Sequence, residues 1–490
     1  MDSGISANAP SGAQAPQQAG QPDQPVGPVF GPQSNKKKMW LMIAIAAALV
    51  VVAGFAVWYG LIRKPTPTIQ ANTTQEKTSL TYAVHWLEDP QINGIKDKNG
   101  KLVSKGLQQY LDEYTALHPN VTFKLSQTHV SKYNDALKVA ADSGSAPDIY
   151  QIYSTWGPSY VRAGLFAEPP AGVKTDIENN YVSTVGATID GKIWGYPTEI
   201  DNYALLYNKT LFKAAGIVDA QGNAKAPKTW QDVVDDAKKL TKNDSAGTIT
   251  QYGVAFTRDT DWSVVDPYLS LLFSNGGDFL TSDYKRAVVN SAAGVAALDQ
   301  TVQLFKNKSV DSASNFFDFK DGKVGMVIAP PWTKGTFAAS YGDKFEATVG
   351  VAPFPYMSKP GSMSYSWFTG VMKDSTHQQA AWDFLKWFSS DHLSDGTTRY
   401  GTLLANTIGA IPARKEDFNA HKSSLGDFFT SVYVNQMKDA KAEPNVLESS
   451  TLKATLMTEI QAAWDGKKTS QQALDSAASS IDKILDQYYK

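Results

Sequence analysis

The chain has 490 residues, 42% hydrophobic and 19% charged, an ordinary globular make-up but longer than one core usually organises, which predicts two lobes or domains. A net charge of −2, with no basic cluster beyond Lys36-Lys37-Lys38, argues against a nucleic-acid or polyanion partner. The absence of cysteine excludes disulfides, thiolate metal sites, a cysteine nucleophile and a lipidated cysteine anchor.

Residues 1–35 are rich in Pro, Gln, Gly and Ala with almost no large apolar side chain, and read as a disordered cytoplasmic tail. Residues 36–64 read as a transmembrane signal anchor. Met39–Ile62 carries no charge, and at about 1.5 Å per residue it is long enough for a hydrocarbon core of about 30 Å. Trp40, Trp58 and Tyr59 suit the membrane interface, and the lysines ahead of the segment favour a cytoplasmic N-terminus with the rest of the chain outside. The rival reading is a signal peptide cleaved near Gly54-Phe55-Ala56, but the apolar run exceeds a usual h-region. Residues 65–79 form a polar linker.

From there strands and helices interleave. Leu80–Trp86 reads as a strand and Gly106–Thr115 as a helix with Leu107, Tyr110, Leu111 and Tyr114 on one face. Val121–Leu125 is a strand, Tyr133–Ala141 a helix, and Pro147-Asp148-Ile149-Tyr150 opens another strand, the alternation of an α/β fold. Pro90 and Asn99-Gly100 predict a hairpin insertion after the first strand. Between Ile189 and Ile217 the chain reads IDGKIWGYPTEIDNYALLYNKTLFKAAGI. Here Thr198, Glu199, Asp201 and Asn202 interrupt two apolar runs, and Thr210 is expected to cap the helix that follows, closed by Gly216. Carboxylates and an amide between two buried strands predict a crossing between two bodies.

Further motifs follow in order: PDIYQIYSTWGPSYVRAGLFAE from Pro147, Pro227-Lys228-Thr229-Trp230, LLFSNGGDFL from Leu271, FKDGKVGMVIAPPW from Phe319, Val349–Pro355, AAWDFLKWF from Ala380, and Ile411-Pro412-Ala413-Arg414. With the 189–217 segment, this order resembles the family 1 extracellular solute-binding proteins, the sugar receptors of ABC importers, over about residues 80–490. Pro330 stands where the family's Gly-Pro-Trp turn has glycine. The resemblance implies an α/β, two-lobed periplasmic-binding-protein-like fold of the class with three crossover segments, near Asp201–Tyr203, Val351–Pro355 and Leu404–Ala413. Lobe 1 is then 80–202 and 353–410, and lobe 2 is 203–352 and 411–490. It further implies a carbohydrate ligand, ABC permease transmembrane subunits as partners, a monomer, and no cofactor or metal.

Sugars present apolar C–H faces and a rim of hydroxyls, so aromatic rings together with carboxylates or amides are the expected ligand groups. Trp194, Trp230, Trp382, Trp387 and Trp464 fall in a strand or on apolar helix faces and are expected to pack in the core. Trp86, Trp156, Trp262, Trp332 and Trp367 fall at strand ends or loops, where ligands of open α/β sheets bind. Tyr153 and Thr155 share the loop of Trp156, and Asp266 lies near Trp262. Asp201 matches the family's crossover carboxylate and leads the polar candidates, followed by Glu199, Asn202 and Glu88. Arg414 and Asn275 stand between ligand contact and structure. An enzyme reading rests on Glu199 and Asp201 as a glycosidase pair. No Walker loop, HExxH or nucleophile elbow accompanies it, and non-enzymatic binding is preferred. An adhesin or sensory receptor of the same fold is the remaining alternative.

Overall fold

The computed structural model describes residues 77–182 and 185–489. The expected tail, the membrane segment Met39–Ile62 and the linker up to residue 76 lie outside the described residues. Among the described residues no helix is long and apolar enough to cross a membrane.

Gln75–Lys490 forms one compact unit built on two mixed sheets. The first contains β1 (Thr78–Val84), β2 (Val121–Gln127), β3 (Ile149–Tyr153) and β4 (Tyr196–Asn202). The second begins with β5 (Ala204–Asn208) and adds β6 (Lys242–Asn243), β7 (Ile249–Val254), β8 (Val324–Ala329) and β9 (Val349–Ala352), in the order β6-β7-β8-β5-β9. Two further strands, β10 (Ser362–Val371) and β11 (Ala440–Ala442), return to the first sheet. There β1 pairs in parallel with β2 and β3, while β10 runs antiparallel to both β3 and β4. Every residue of β8 and β5 is buried, as befits strands covered on both faces.

Helices cover both sheets by presenting one apolar stripe each. In α1 (Leu107–Leu117) the buried residues are Leu107, Tyr110, Leu111 and Tyr114. In α2 (Trp230–Leu240) they include Trp230, Val233, Val234, Ala237 and Leu240, and the helix opens with a reciprocal Thr229/Asp232 capping box. By contrast α3 (Asp261–Ser274) is buried on all sides from Ser263 onward; it packs on β10, where the Met363 N–H donates to Ser270 Oγ at 3.0 Å. The C-terminal pair α4 (Ser449–Trp464) and α5 (Ser470–Leu485) pack on each other, and α4 also contacts α3. Trp230, Trp382, Trp387 and Trp464 are all buried in hydrophobic clusters.

Two passages join the sheets close together. Tyr203 alone separates β4 from β5; its N–H donates to Ser362 Oγ at 3.1 Å and its carbonyl accepts from the same hydroxyl at 2.8 Å. The passage from β9 to β10 is tied in through Gln436, which accepts from the Phe354 N–H at 2.9 Å and donates to the Tyr203 carbonyl at 2.8 Å. Ile411–Ala413 runs along β4, with Ile200 N–H donating to the Ile411 carbonyl and Ala413 N–H to that of Thr198.

Three local expectations are corrected. The polar patch Thr198–Asn202 does not interrupt a strand: it is the second half of β4, its backbone paired with β10 and its side chains buried. Asn208, not Thr210, caps the helix Lys209–Ala214, accepting from the N–H groups of Thr210 and Leu211 at 3.0 and 3.1 Å. Trp86 lies just beyond the first strand, which ends at Val84. The hairpin after it forms between Ile95–Lys96 and Leu102–Ser104.

Candidate functional site

The register of β10 gathers the site. It sets Tyr365 opposite Asp201 on β4 and Trp367 opposite Tyr153 on β3. Residues two apart on a strand share a face, so Tyr365 and Trp367 project together. Tyr153 contacts both rings, with centroids 5.7 and 5.2 Å away, and the Trp156 ring joins at 5.5 Å from Tyr153 and 5.6 Å from Trp367. His85 stacks on Trp367 at 3.9 Å and links it to Trp86, 5.9 Å away. Desolvation holds His85 down to about 3, so this imidazole is neutral.

Against this aromatic wall lies a buried ionic cluster. Lys453 on α4 places Nζ 2.7 Å from Asp266 Oδ1, 3.0 Å from Glu443 Oε1 and 3.5 Å from Asp261 Oδ2, and 5.7 Å from the Tyr153 ring centroid. Tyr153 donates its hydroxyl to Glu443 Oε2 at 2.6 Å, and Tyr203 donates to Asp266 Oδ2 at 2.7 Å. Burial opposes the Lys453 ammonium, but the three carboxylates outweigh it and raise its pKa well above the ordinary lysine value. Burial also pushes Asp266 up to about 7, against the pull of Lys453.

Asp201 sits next to this cluster and forms no ion pair among the described residues. Oδ2 accepts from the Tyr365 hydroxyl at 3.3 Å and Oδ1 from the Ile411 N–H at 3.2 Å, and burial raises its pKa to about 7. Glu199, two residues back on the same strand, accepts from the Thr198 hydroxyl; burial and then the charge of Asp201 push it up to about 8. Asn202 is engaged in the passage between the sheets, donating to the Tyr433 carbonyl at 3.0 Å and accepting from Gln436.

On the side of the second sheet, half-buried Trp262 and Trp332 meet edge to face at 6.0 Å, and Trp262 also packs on Phe316 at 5.1 Å. Glu88, exposed after β1, accepts from the hydroxyl of Thr336 at 3.0 Å, on the helix that follows Trp332. Thr155 is buried in the turn after β3, and its hydroxyl makes no hydrogen bond among the described residues.

The structure therefore brings Tyr153, Trp156, Asp201, Asp266 and Trp367 into one connected group, with Trp86 reached through His85. Trp262 and Trp332 adjoin it through Asp261. Glu88 touches the outer rim, and Asn202 faces the crossing. Arg414 is buried in ion pairs with Asp176 at 2.9 Å and Glu416 at 2.8 Å, in the wall of a separate cavity of about 270 Å³. Asn275 donates to the Ala293 carbonyl and accepts from Ser358. Sequence reading missed Lys453, Glu443, Tyr203, Tyr365 and His85. A signal existed for Lys453: it occupies the buried stripe of α4 with Ser449, Leu452, Leu456 and Ile460, where an unpaired lysine is not tolerated.

Hydroxyls, carboxylates and an ammonium beside flat rings provide donors, acceptors and stacking faces, the groups that bind a polar, hydroxyl-rich solute. A cavity of about 40 Å³ beside Tyr365 and Glu443 is of water size.

Two α/β sheets joined by short passages, with aromatic and ionisable side chains gathered where they meet, define the two-lobed class of solute receptors. Residues 100–392 match the family described as bacterial extracellular solute-binding protein, and the chain belongs to that family. It is 25% identical over 393 residues to the maltodextrin-binding protein MdxE of Bacillus subtilis, covering 76% of this chain and 85% of that one. Over 306 residues it is 26% identical to the diacetylchitobiose binding protein DasA of Streptomyces coelicolor, covering 58% and 65%. Among solved structures, the cyclic alpha-maltosyl-1,6-maltose binding protein from Arthrobacter globiformis aligns with TM-score 0.64 and 26% identity over 84% of this chain and 99% of that one. The GacH receptor of Streptomyces glaucescens aligns with TM-score 0.68 over 84% and 99%, at 22% identity, a likeness of fold. These relatives are binding proteins rather than enzymes.

Proposed function

We propose that this chain is a membrane-tethered receptor that captures a sugar or oligosaccharide outside the cell and delivers it to an ABC import permease. The observation that carries the carbohydrate reading is the meeting of the Tyr153, Trp156, Tyr365 and Trp367 rings with the Asp201, Asp266 and Glu443 carboxylates between two sheets. Rings take the apolar face of a pyranose, and carboxylates accept from its hydroxyls. Names of relatives that bind maltodextrin and diacetylchitobiose support the same class.

In this reading lobe 1 is 80–202 with 353–410, lobe 2 is 203–352 with 411–490, and Tyr203 and the Gln436 bridge lie in the hinge. Ligand favours closure because it touches both lobes. Met39–Ile62 holds the monomeric receptor at the membrane in place of a lipidated cysteine, which the sequence lacks. The chain performs no bond chemistry itself. A thermal-shift screen of the full chain against mono- and oligosaccharides tests the ligand class: a sugar at 100 times its Kd adds about 2.7 kcal/mol of stability. No shift with any sugar would reject it.

A further inference from the structure

The insertion between β1 and α1 carries a surface that the candidate cleft does not use. Its strands Ile95–Lys96 and Leu102–Ser104 pair antiparallel around a turn in which Asp97 Oδ1 accepts from the N–H groups of Asn99 and Lys101 at 2.8 and 2.9 Å. The root of the hairpin is closely packed. A Cβ on Gly94 would lie 2.4 Å from the Ser104 carbonyl oxygen, one on Gly106 would lie 2.4 Å from that of Ile92, and Ser104 Oγ meets the Thr407 hydroxyl at 2.6 Å. Lys96, Lys98, Lys101 and Lys105 fall two to four positions apart, so no basic run marks them in the sequence; the hairpin gathers them, and all four are exposed. With Asp97 they give residues 94–106 a net charge of +3, on a folded part, residues 71–490, in which acidic residues outnumber basic ones by 46 to 41. Lys105 pairs with Glu113 at 2.7 Å, whereas Lys96, Lys98 and Lys101 form no ion pair among the described residues. Beside them Leu102 and Val103 are 38% and 61% exposed. A basic and aliphatic projection on an otherwise acidic body fits an anionic layer.

We propose that this hairpin docks the folded part of the chain on the anionic headgroups of the bilayer to which the chain is tethered. The proposal rests on reading residues 39–62 as a membrane anchor. The 15 residues 63–77, between that segment and β1, reach at most about 54 Å, so a tethered domain stays near the bilayer and a weak attraction per side chain is enough to hold it. Each lysine close to an anionic surface favours attachment by about fivefold, and the three unpaired ones together by more than about a hundredfold. Leu102 and Val103 add apolar contact at the headgroup boundary. The surplus of acidic residues over the rest of the folded part is repelled by the same headgroups, and this makes the hairpin the point of attachment. Docking here also orients the receptor. Glu88, at the start of the insertion, accepts from the Thr336 hydroxyl on the side of the second sheet, so a hairpin on the headgroups turns the rim of the candidate cleft toward the membrane in which an import permease lies.

The test uses the full chain, which has no cysteine of its own, so Asn99→Cys at the hairpin turn takes a single fluorescent label. Gln221→Cys is the control: its hairpin has the same turn, with Asp219 Oδ1 accepting from the N–H groups of Gln221 and Asn223, but no lysine between Ile217 and Ala224. Each labelled protein is reconstituted in vesicles of phosphatidylcholine, alone or with one third phosphatidylglycerol, that contain a lipid carrying a quencher on its headgroup. At low salt the label at residue 99 is expected to be quenched at least about threefold more with phosphatidylglycerol than without it, and the label at residue 221 equally in both. The excess is expected to vanish in about 0.5 M salt and in the triple variants Lys96→Glu/Lys98→Glu/Lys101→Glu and Lys96→Gln/Lys98→Gln/Lys101→Gln. Equal quenching at residue 99 in the two lipids overturns the proposal, as does an excess that survives in either triple variant; a partner protein with an acidic surface would then be the occupant to seek. If the chain does not float with phosphatidylcholine vesicles, the anchor reading fails. Flotation with phosphatidylglycerol vesicles that the triple variants abolish then still supports the hairpin as the docking element, and no flotation with either lipid overturns it.

Discussion

Replacing Glu199 by Gln probes the crossing strand through its protonation. Glu199 is 4% exposed, its visible side-chain partner is the neutral Thr198 hydroxyl, and burial together with nearby Asp201 raises its pKa to about 8. A carboxyl whose folded-state pKa lies above its unfolded value holds its proton more tightly when folded. Its contribution is complete below the unfolded pKa of about 4.3 and is lost as pH rises through the folded value. Between pH 5.5 and 8 the folded chain therefore keeps most of one proton that the unfolded chain has released. At about 1.36 kcal/mol per pH unit this amounts to about 3 kcal/mol of stability lost across the window. Glutamine has nearly the shape of the neutral acid and cannot ionise, so Glu199→Gln is expected to lie within about 1 kcal/mol of wild type at pH 5.5 and to gain on it by about 2–3 kcal/mol at pH 8. Urea unfolding of both proteins at the two pH values measures the difference. Equal pH slopes would refute the reasoning, because Glu199 would then be ionised already at pH 5.5 or matched by a cation when charged.

Trp332→Ala is expected to weaken saccharide binding by about 1–3 kcal/mol if the ring stacks on the ligand, read by titration calorimetry on a folded variant; unchanged affinity would remove it from the site. Arg414→Met leaves Asp176 without its main partner and should cost about 2–4 kcal/mol in urea unfolding, with solute affinity unaffected. Gly253→Ala tests the packing of α2 on β7: an added Cβ would lie 2.2 Å from the Ala237 carbonyl oxygen, so the helix must shift, at about 2–4 kcal/mol. Wild-type melting behaviour would show that this contact is slack.

Much of the architecture was legible in the sequence because it repeats locally. The stripe of Leu107, Tyr110, Leu111 and Tyr114 and the hairpin at Asn99-Gly100 each follow from a few adjacent residues, and each forms as read. The helix tryptophans Trp230, Trp382, Trp387 and Trp464 were placed for the same reason, since a ring on an apolar helix face has one place to go, whereas Trp86 and Trp367, read outside the core, are buried just as deeply. Asp201 was marked by its place in the segment that resembles the family's crossover, within a polar patch between two apolar runs. The polar patch was misread because Thr198–Asn202 looks exposed in isolation. It becomes a strand through pairing with β10, which lies more than 150 residues further on.

By itself, then, the sequence determined the family and the α/β alternation, since both are carried by local periodicity and by motif order; it did not place Trp367 and Trp262, read at strand ends or loops, which lie within β10 and in the first turn of α3. Only the tertiary structure decided which charges meet. Lys453, Glu443, Asp266 and Tyr153 come from four separate elements, and the strength of a charge pair depends on separation and burial, which no spacing along the chain encodes. The register of β10 and the packing of α4 on α3 bring them within hydrogen-bonding distance, and that juxtaposition turns scattered polar residues into one candidate site.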